Sequence, residues 1–145
     1  MQANGKVSIA TGIGTQGQEH FTSFAQIVAD EVGVDVRDVD VVTGDTDQFY
    51  WGAVTFASRG AVVAGNAVSE AAKAVRRKIL RVTAEHFESA VEDLDIANGK
   101  VSIAGVPGKS VRLSDLAMKA NPMHGAVRPG TNTLWSTTAV PSSIR

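Results

Sequence analysis

At 145 residues, with 43% hydrophobic and 20% charged side chains, the chain is long enough for one domain with a real core and too apolar to be disordered throughout. Its 14 Lys and Arg against 15 Asp and Glu leave a net charge of -1, so no global field favours nucleic acid or an anionic membrane surface, and no apolar run approaches the ~20 residues that span a bilayer. The absence of cysteine excludes disulfides, thiolate zinc sites and iron–sulfur clusters held by this chain; with the polar start Gln2 to Lys6, which has no secretory pattern, it predicts a cytoplasmic protein.

Lys6 to Thr11 alternates, with Val7 and Ile9 on one side, and predicts a strand buried on one face. Gly12-Ile13-Gly14-Thr15-Gln16-Gly17 then breaks the chain. From about Gln18 the pattern becomes helical, with a stripe of Phe21, Phe24, Ala25, Val28 and Val32 and with Gly33 placed for a left-handed C-terminal cap. Asp38 to Thr43 predicts a second strand. Residues 44–60 form a long irregular stretch that carries Phe49, Tyr50, Trp51 and Phe56, and long loops of this kind are often functional.

A second helix is predicted from about Ala61 to Phe87, buried through Val68, Ala71, Ala72, Val75, Ile79 and Val82. Arg76, Arg77, Lys78 and Arg81 suit its solvated end, where cations complement the helix dipole. Asn98-Gly99 between two short alternating runs is a strong hairpin signal. A short strand follows at Ser110 to Leu113, then a helix with Ser114 at its N-cap. Three of the four prolines lie beyond Asn121 and deny regular structure there. Together these elements predict an α+β fold: a two-layer sandwich, a mixed sheet with two main helices on one face. It would occupy residues 1–120, with an irregular C-terminal tail over 121–145.

Gly12, Gly14 and Gly17 match G-x-G-x-x-G between a strand and a helix. Such glycines let backbone approach a ligand, and free helix N–H groups attract an anion. With Asp45 as a ribose-binding carboxylate, a Rossmann-like dinucleotide module is one reading; a purely structural turn is another. Against the first, the opening strand alternates where a central parallel strand would be continuously apolar. Asp45 and Asp47 lack calcium-loop spacing and suit a turn closed by side-chain-to-backbone bonds. His20, His86 and His124 are too dispersed for a metal motif. His20 suits helix capping, packing or contact with a ligand beside the glycine loop, and no G-x-S-x-G supports a serine hydrolase.

Four separated blocks carry a more specific signal: Thr11 to Phe21, Phe24 to Val34, Val39 to Asp47 and Thr55 to Gly60. In order and spacing they resemble the molybdenum-cofactor-binding large subunit of the xanthine dehydrogenase, aldehyde oxidase and carbon monoxide dehydrogenase family, over about residues 5–118. The resemblance implies that two loops grip a pterin cofactor, through Gly17 and Gln18 and through Thr55, Phe56, Ala57, Ser58, Arg59 and Gly60. Glu19 stands where the family usually has glycine. The implied cofactor is molybdopterin cytosine dinucleotide, its molybdenum held by pterin sulfurs and not by protein, in a site that this chain alone leaves incomplete.

The family's catalytic glutamate lies in a Gly-Glu motif, a dipeptide absent from this sequence. The resemblance therefore implies a cofactor-binding segment with no catalytic residue of its own. Its partners would be the remainder of the large subunit together with FAD and iron–sulfur subunits. A non-enzymatic assembly module is the alternative. The runs at Phe49 to Trp51 and Leu134-Trp135 also predict self-association as a homo-oligomer.

Overall fold

The computed structural model describes residues 1–49, 52, 54–106 and 108–119. Strand β1 (Val7–Thr11) pairs in parallel with β2 (Val39–Thr43), Val7 opposite Val39 and Thr11 opposite Thr43. Parallel neighbours need a crossover, and α1 (His20–Val32) supplies it, packing back on β2. As predicted, Gly33 ends α1 in the left-handed conformation, φ 81°, donating its N–H to Ala29 O at 2.8 Å. The buried face of α1 is His20, Phe24, Ala25, Val28, Ala29 and Val32. Phe21, counted in the sequence stripe, is 49% exposed. Periodicity does not register that the first turn of α1 abuts the 55–60 turn, which covers His20 instead.

The main partner of α1 is α2 (Asn66–Phe87), buried through Val68, Ala72, Val75, Ile79 and Thr83. Ala25, Ala29 and Ala72 are among the buried residues of the two helices. Thr83 is fully buried, and its hydroxyl donates to Ile79 O at 2.9 Å, which keeps it satisfied inside the helix. The predicted helix start at Ala61 is replaced by a π-helical stretch, Gly60–Gly65, ahead of the α-helix proper. Arg76 departs from its predicted role as a solvated end. It donates to Glu31 O at 3.4 Å and to the Asp95 carboxylate at 3.1 Å, tying α1, α2 and the following strand together.

The second sheet is antiparallel, in the order β3 (Leu94–Ala97), β4 (Lys100–Ile103), β5 (Ser110–Arg112). Its hairpin turns at Asn98-Gly99, both left-handed at φ 51° and 70°, as that dipeptide predicts. Gly99 donates its N–H to Gly33 O at 2.9 Å and accepts from Leu113 N–H at 2.9 Å, so the turn is pinned to the end of α1 and to the start of α3 (Leu113–Lys119). That helix opens two residues earlier than the Ser114 cap predicts. The fold is α+β as expected, with its parallel and antiparallel pairings divided between two sheets. Its core joins Phe24 and Val32, Ile79, Ile96 and Val101, Leu113 and Leu116; each such side chain contributes about 1.5–3 kcal/mol by leaving water. The predicted tail at 121–145 lies outside the described residues, as do Tyr50 and Trp51.

Candidate functional site

The chain leaves β1 into the glycine loop, where Ile13 is buried and anchors the backbone. Gly52 crosses it so closely that a Cβ there would lie 2.6 Å from Gly12 O, a backbone-to-backbone approach that only glycine permits. Two residues on, Gly14 and Val54 form a parallel bridge, and the Thr55 hydroxyl donates to Gly14 O at 3.1 Å. These contacts fasten the start of the second loop to the first.

Gly17 follows at φ 98°, with open space where a Cβ would be. Gln18 is exposed; its side-chain oxygen accepts from Gln16 N–H at 2.5 Å, leaving the amide NH2 free to donate to a ligand. Glu19 is left-handed at φ 57°, a conformation that glycine adopts more readily than glutamate. No side chain caps α1 at this end; Thr22 and Ser23 donate their N–H groups to Glu19 O at 3.1 and 3.0 Å, which leaves the His20 and Phe21 N–H groups as the orphan donors of the first turn.

In the second loop Ala57 and Ser58 are both left-handed, at φ 51° and 56°, followed by Arg59 in the right-handed region. A left-to-right succession turns consecutive N–H groups toward one concavity, the geometry that binds anions. Two adjacent non-glycine residues in this region are strained, and such strain clusters at ligand sites. The Arg59 guanidinium carbon sits 5.0 Å from the centre of the Phe56 ring, while its Nε is buried without a partner. Gly60 then begins the π-helical stretch, a form common at functional sites.

Gly60 packs on His20, the first residue of α1. The structure thus brings the Gly17-Gln18 loop and the Thr55–Gly60 turn to the same end of α1. Gln18, Phe56, Ala57 and Ser58 are exposed, Thr55 and Arg59 half-buried, and Gly60 buried. Beside them lies a cleft of about 160 Å³ lined by Gly12, Gly14, Asp45, Phe49 and Val54 among others. Asp45 closes the predicted turn there: its carboxylate accepts from Asp47 N–H at 3.0 Å and from the Gln48 amide at 2.7 Å. Sequence reasoning did not single out Gly52, whose need for glycine arises from a contact 40 residues away along the chain.

Residues 1–140 match the molybdopterin cofactor-binding domain. The chain is 37% identical over 118 residues to the nicotine 6-hydroxylase large subunit of Paenarthrobacter nicotinovorans, covering 81% of this chain and 14% of that one. It is 35% identical over 106 residues to the carbon monoxide dehydrogenase large chain of Hydrogenophaga pseudoflava, covering 73% of this chain and 13% of that one. Quinoline 2-oxidoreductase from Pseudomonas putida 86 superposes with a TM-score of 0.81 at 34% identity, over 97% of this chain and 18% of that one. The chain belongs to the molybdopterin cofactor-binding domains of molybdenum-hydroxylase large subunits, and spans less than a fifth of the length of these relatives.

Proposed function

We propose that this chain supplies part of the binding site for molybdopterin cytosine dinucleotide in a molybdenum hydroxylase-type oxidoreductase. The observation that carries the reading is the Thr55-to-Gly14 hydrogen bond with the adjoining Gly14–Val54 bridge, which joins the two loops of the resemblance at one site. The residues present fit the group. Gly17 and Gln18 offer open backbone and an amide that can recognise a pterin edge. The left-handed Ala57-Ser58 pair turns the N–H groups of Ser58 and Gly60 toward an anion, while Arg59 N–H closes the turn on Phe56 O at 3.2 Å and the terminal nitrogens of Arg59 suit a phosphate. Thr55 fixes the turn to the glycine loop, and Phe56 holds the guanidinium in place. When bound, the cofactor supplies a molybdenum centre for two-electron redox chemistry.

The remaining contacts, including the catalytic carboxylate, come from the rest of the large subunit, with FAD and iron–sulfur subunits as further partners. This chain alone does not turn over substrate. A site divided among segments is poorly preorganised when one segment stands by itself, so binding here is weak.

Calorimetric titration with molybdopterin cytosine dinucleotide and, separately, with NAD tests the reading. The pterin dinucleotide binds; Gln18→Ala and Arg59→Ala each lose about 1–2 kcal/mol, Arg59→Ala more so at low salt. NAD binding abolished by Asp45→Asn would replace this reading with the Rossmann-like one built on Gly12, Gly14 and Gly17. Binding of neither would favour the assembly-module alternative.

A further inference from the structure

We propose that His20 is a positioning residue, which sets the spacing between the glycine loop and the 55–60 turn by acting through Gly60. The inference rests on the cofactor-binding reading above.

The imidazole is 6% exposed and is held on two sides. Below, it stacks on Phe24, ring centroids 4.9 Å apart and planes 9° from parallel. At its edge, Nε2 lies 3.0 Å from the point where a Cβ on residue 60 would sit. The ring is therefore a spacer between the first turn of α1 and the residue that opens the π-helical stretch. Gly60 does not need to be glycine for its own backbone, since its φ lies outside the left-handed region. The tight contact is with the imidazole, which would have to give by a few tenths of an ångström to admit a methyl there.

Two further features separate this histidine from ordinary packing. Its Nδ1 is buried with no hydrogen-bond partner. A buried unpaired nitrogen destabilises the fold, and an apolar side chain would avoid it. The neighbouring Arg59 Nε is in the same condition. Of the three buried side-chain atoms without partners among the described residues, two thus belong to the residues that adjoin Gly60, His20 and Arg59. Unpaired polar atoms on two residues that adjoin one glycine, one in space and one along the chain, mark a junction shaped for something other than stability.

The test is a double-mutant cycle in the full protein, isolated from cells that make the molybdenum cofactor. Molybdenum per polypeptide and released pterin are measured beside the thermal midpoint. His20→Ala removes the spacer and Gly60→Ala crowds it, so each is expected to lower cofactor content several-fold while the protein remains folded. In His20→Ala/Gly60→Ala the new methyl occupies space the imidazole vacated, and content recovers above that of either single variant. Additive losses, or singles that keep wild-type content, overturn the inference. If both singles fail to fold, the same cycle is read with His20→Asn and Gly60→Ser, and additivity again overturns it. Arg59→Ala is the control for the underlying reading. Loss of cofactor in Arg59→Ala with an additive cycle rejects His20 alone, whereas full content in Arg59→Ala rejects the cofactor site itself.

Discussion

The two ends of α1 are built on opposite terms. At the C-terminal end every local preference agrees. Gly33 takes the left-handed cap, its N–H and that of Val34 both reach Ala29 O, and its own carbonyl accepts from Gly99. At the N-terminal end the same helix starts without a side-chain cap, on a left-handed glutamate, with a buried imidazole whose Nδ1 is unpaired. The first end joins the helix to the β3–β4 hairpin; the second faces the two loops proposed to hold the cofactor. The difference teaches where this fold keeps its stability and where it gives stability up to present unfilled donors.

The largest effect should come from breaking the framework end. A Cβ on Gly33 would lie 2.5 Å from Ile96 O, a backbone atom that cannot move aside, in a conformation already unfavourable for a side chain at φ 81°. Gly33→Ala should lose about 2–4 kcal/mol, from left-handed strain of roughly 1–2 kcal/mol plus displacement of the hairpin. Urea denaturation measures it. A loss below about 1 kcal/mol would mean that the hairpin is not pinned to α1 as described.

The site end should respond in the opposite direction. Glu19 and Ala57 hold left-handed conformations that glycine adopts freely. Glu19→Gly and Ala57→Gly remove roughly 1–2 kcal/mol of strain each and return part of it as extra freedom in the unfolded chain, leaving a net gain of about 0.5–1 kcal/mol apiece. Equilibrium unfolding of each variant decides it. Destabilisation at both positions would show that the N-terminal end is relaxed and would dissolve the contrast.

What could be read in the sequence follows the same division. Gly33 and Asn98-Gly99 announce themselves because their conformations are local, set by the residues themselves. The strands at 7–11 and 39–43 were legible from alternation. The π-helical start at Gly60, the exchange of His20 for Phe21 in the buried face and the need for glycine at position 52 were not, because each depends on a loop brought in from elsewhere in the chain. Arg76 misled for a related reason: its charge suited a solvated helix end, while Asp95 and Glu31 O came to it through the fold. The loop pair was legible only through four separated blocks of resemblance, since periodicity is silent on irregular backbone.

The smallest expected effect sharpens the framework side. Asp35 precedes the single 3-10 turn, residues Val36–Asp38, that carries the chain from α1 into β2. Its carboxylate accepts from Arg37 N–H at 2.9 Å and from the Arg37 guanidinium through Nε at 2.9 Å and Nη2 at 2.8 Å. The guanidinium hydrogen bonds, and then the backbone one, hold the Asp35 carboxyl well below the usual carboxylate range. The group is lowered in the folded state, so its contribution is fully present above the unfolded value of about 3.9 and is lost as pH falls toward the folded one. Because the pair is open to solvent, salt and hydration leave the contribution slight. Carboxyl-detected NMR titration should show Asp35 ionised at pH values where exposed aspartates have taken up their protons, and Arg37→Ala should return it to their range. An Asp35 that titrates with the other surface carboxylates in the unmodified protein would mean that the turn into β2 is not closed by this pair. The satisfied framework would then begin only at the Gly33 cap.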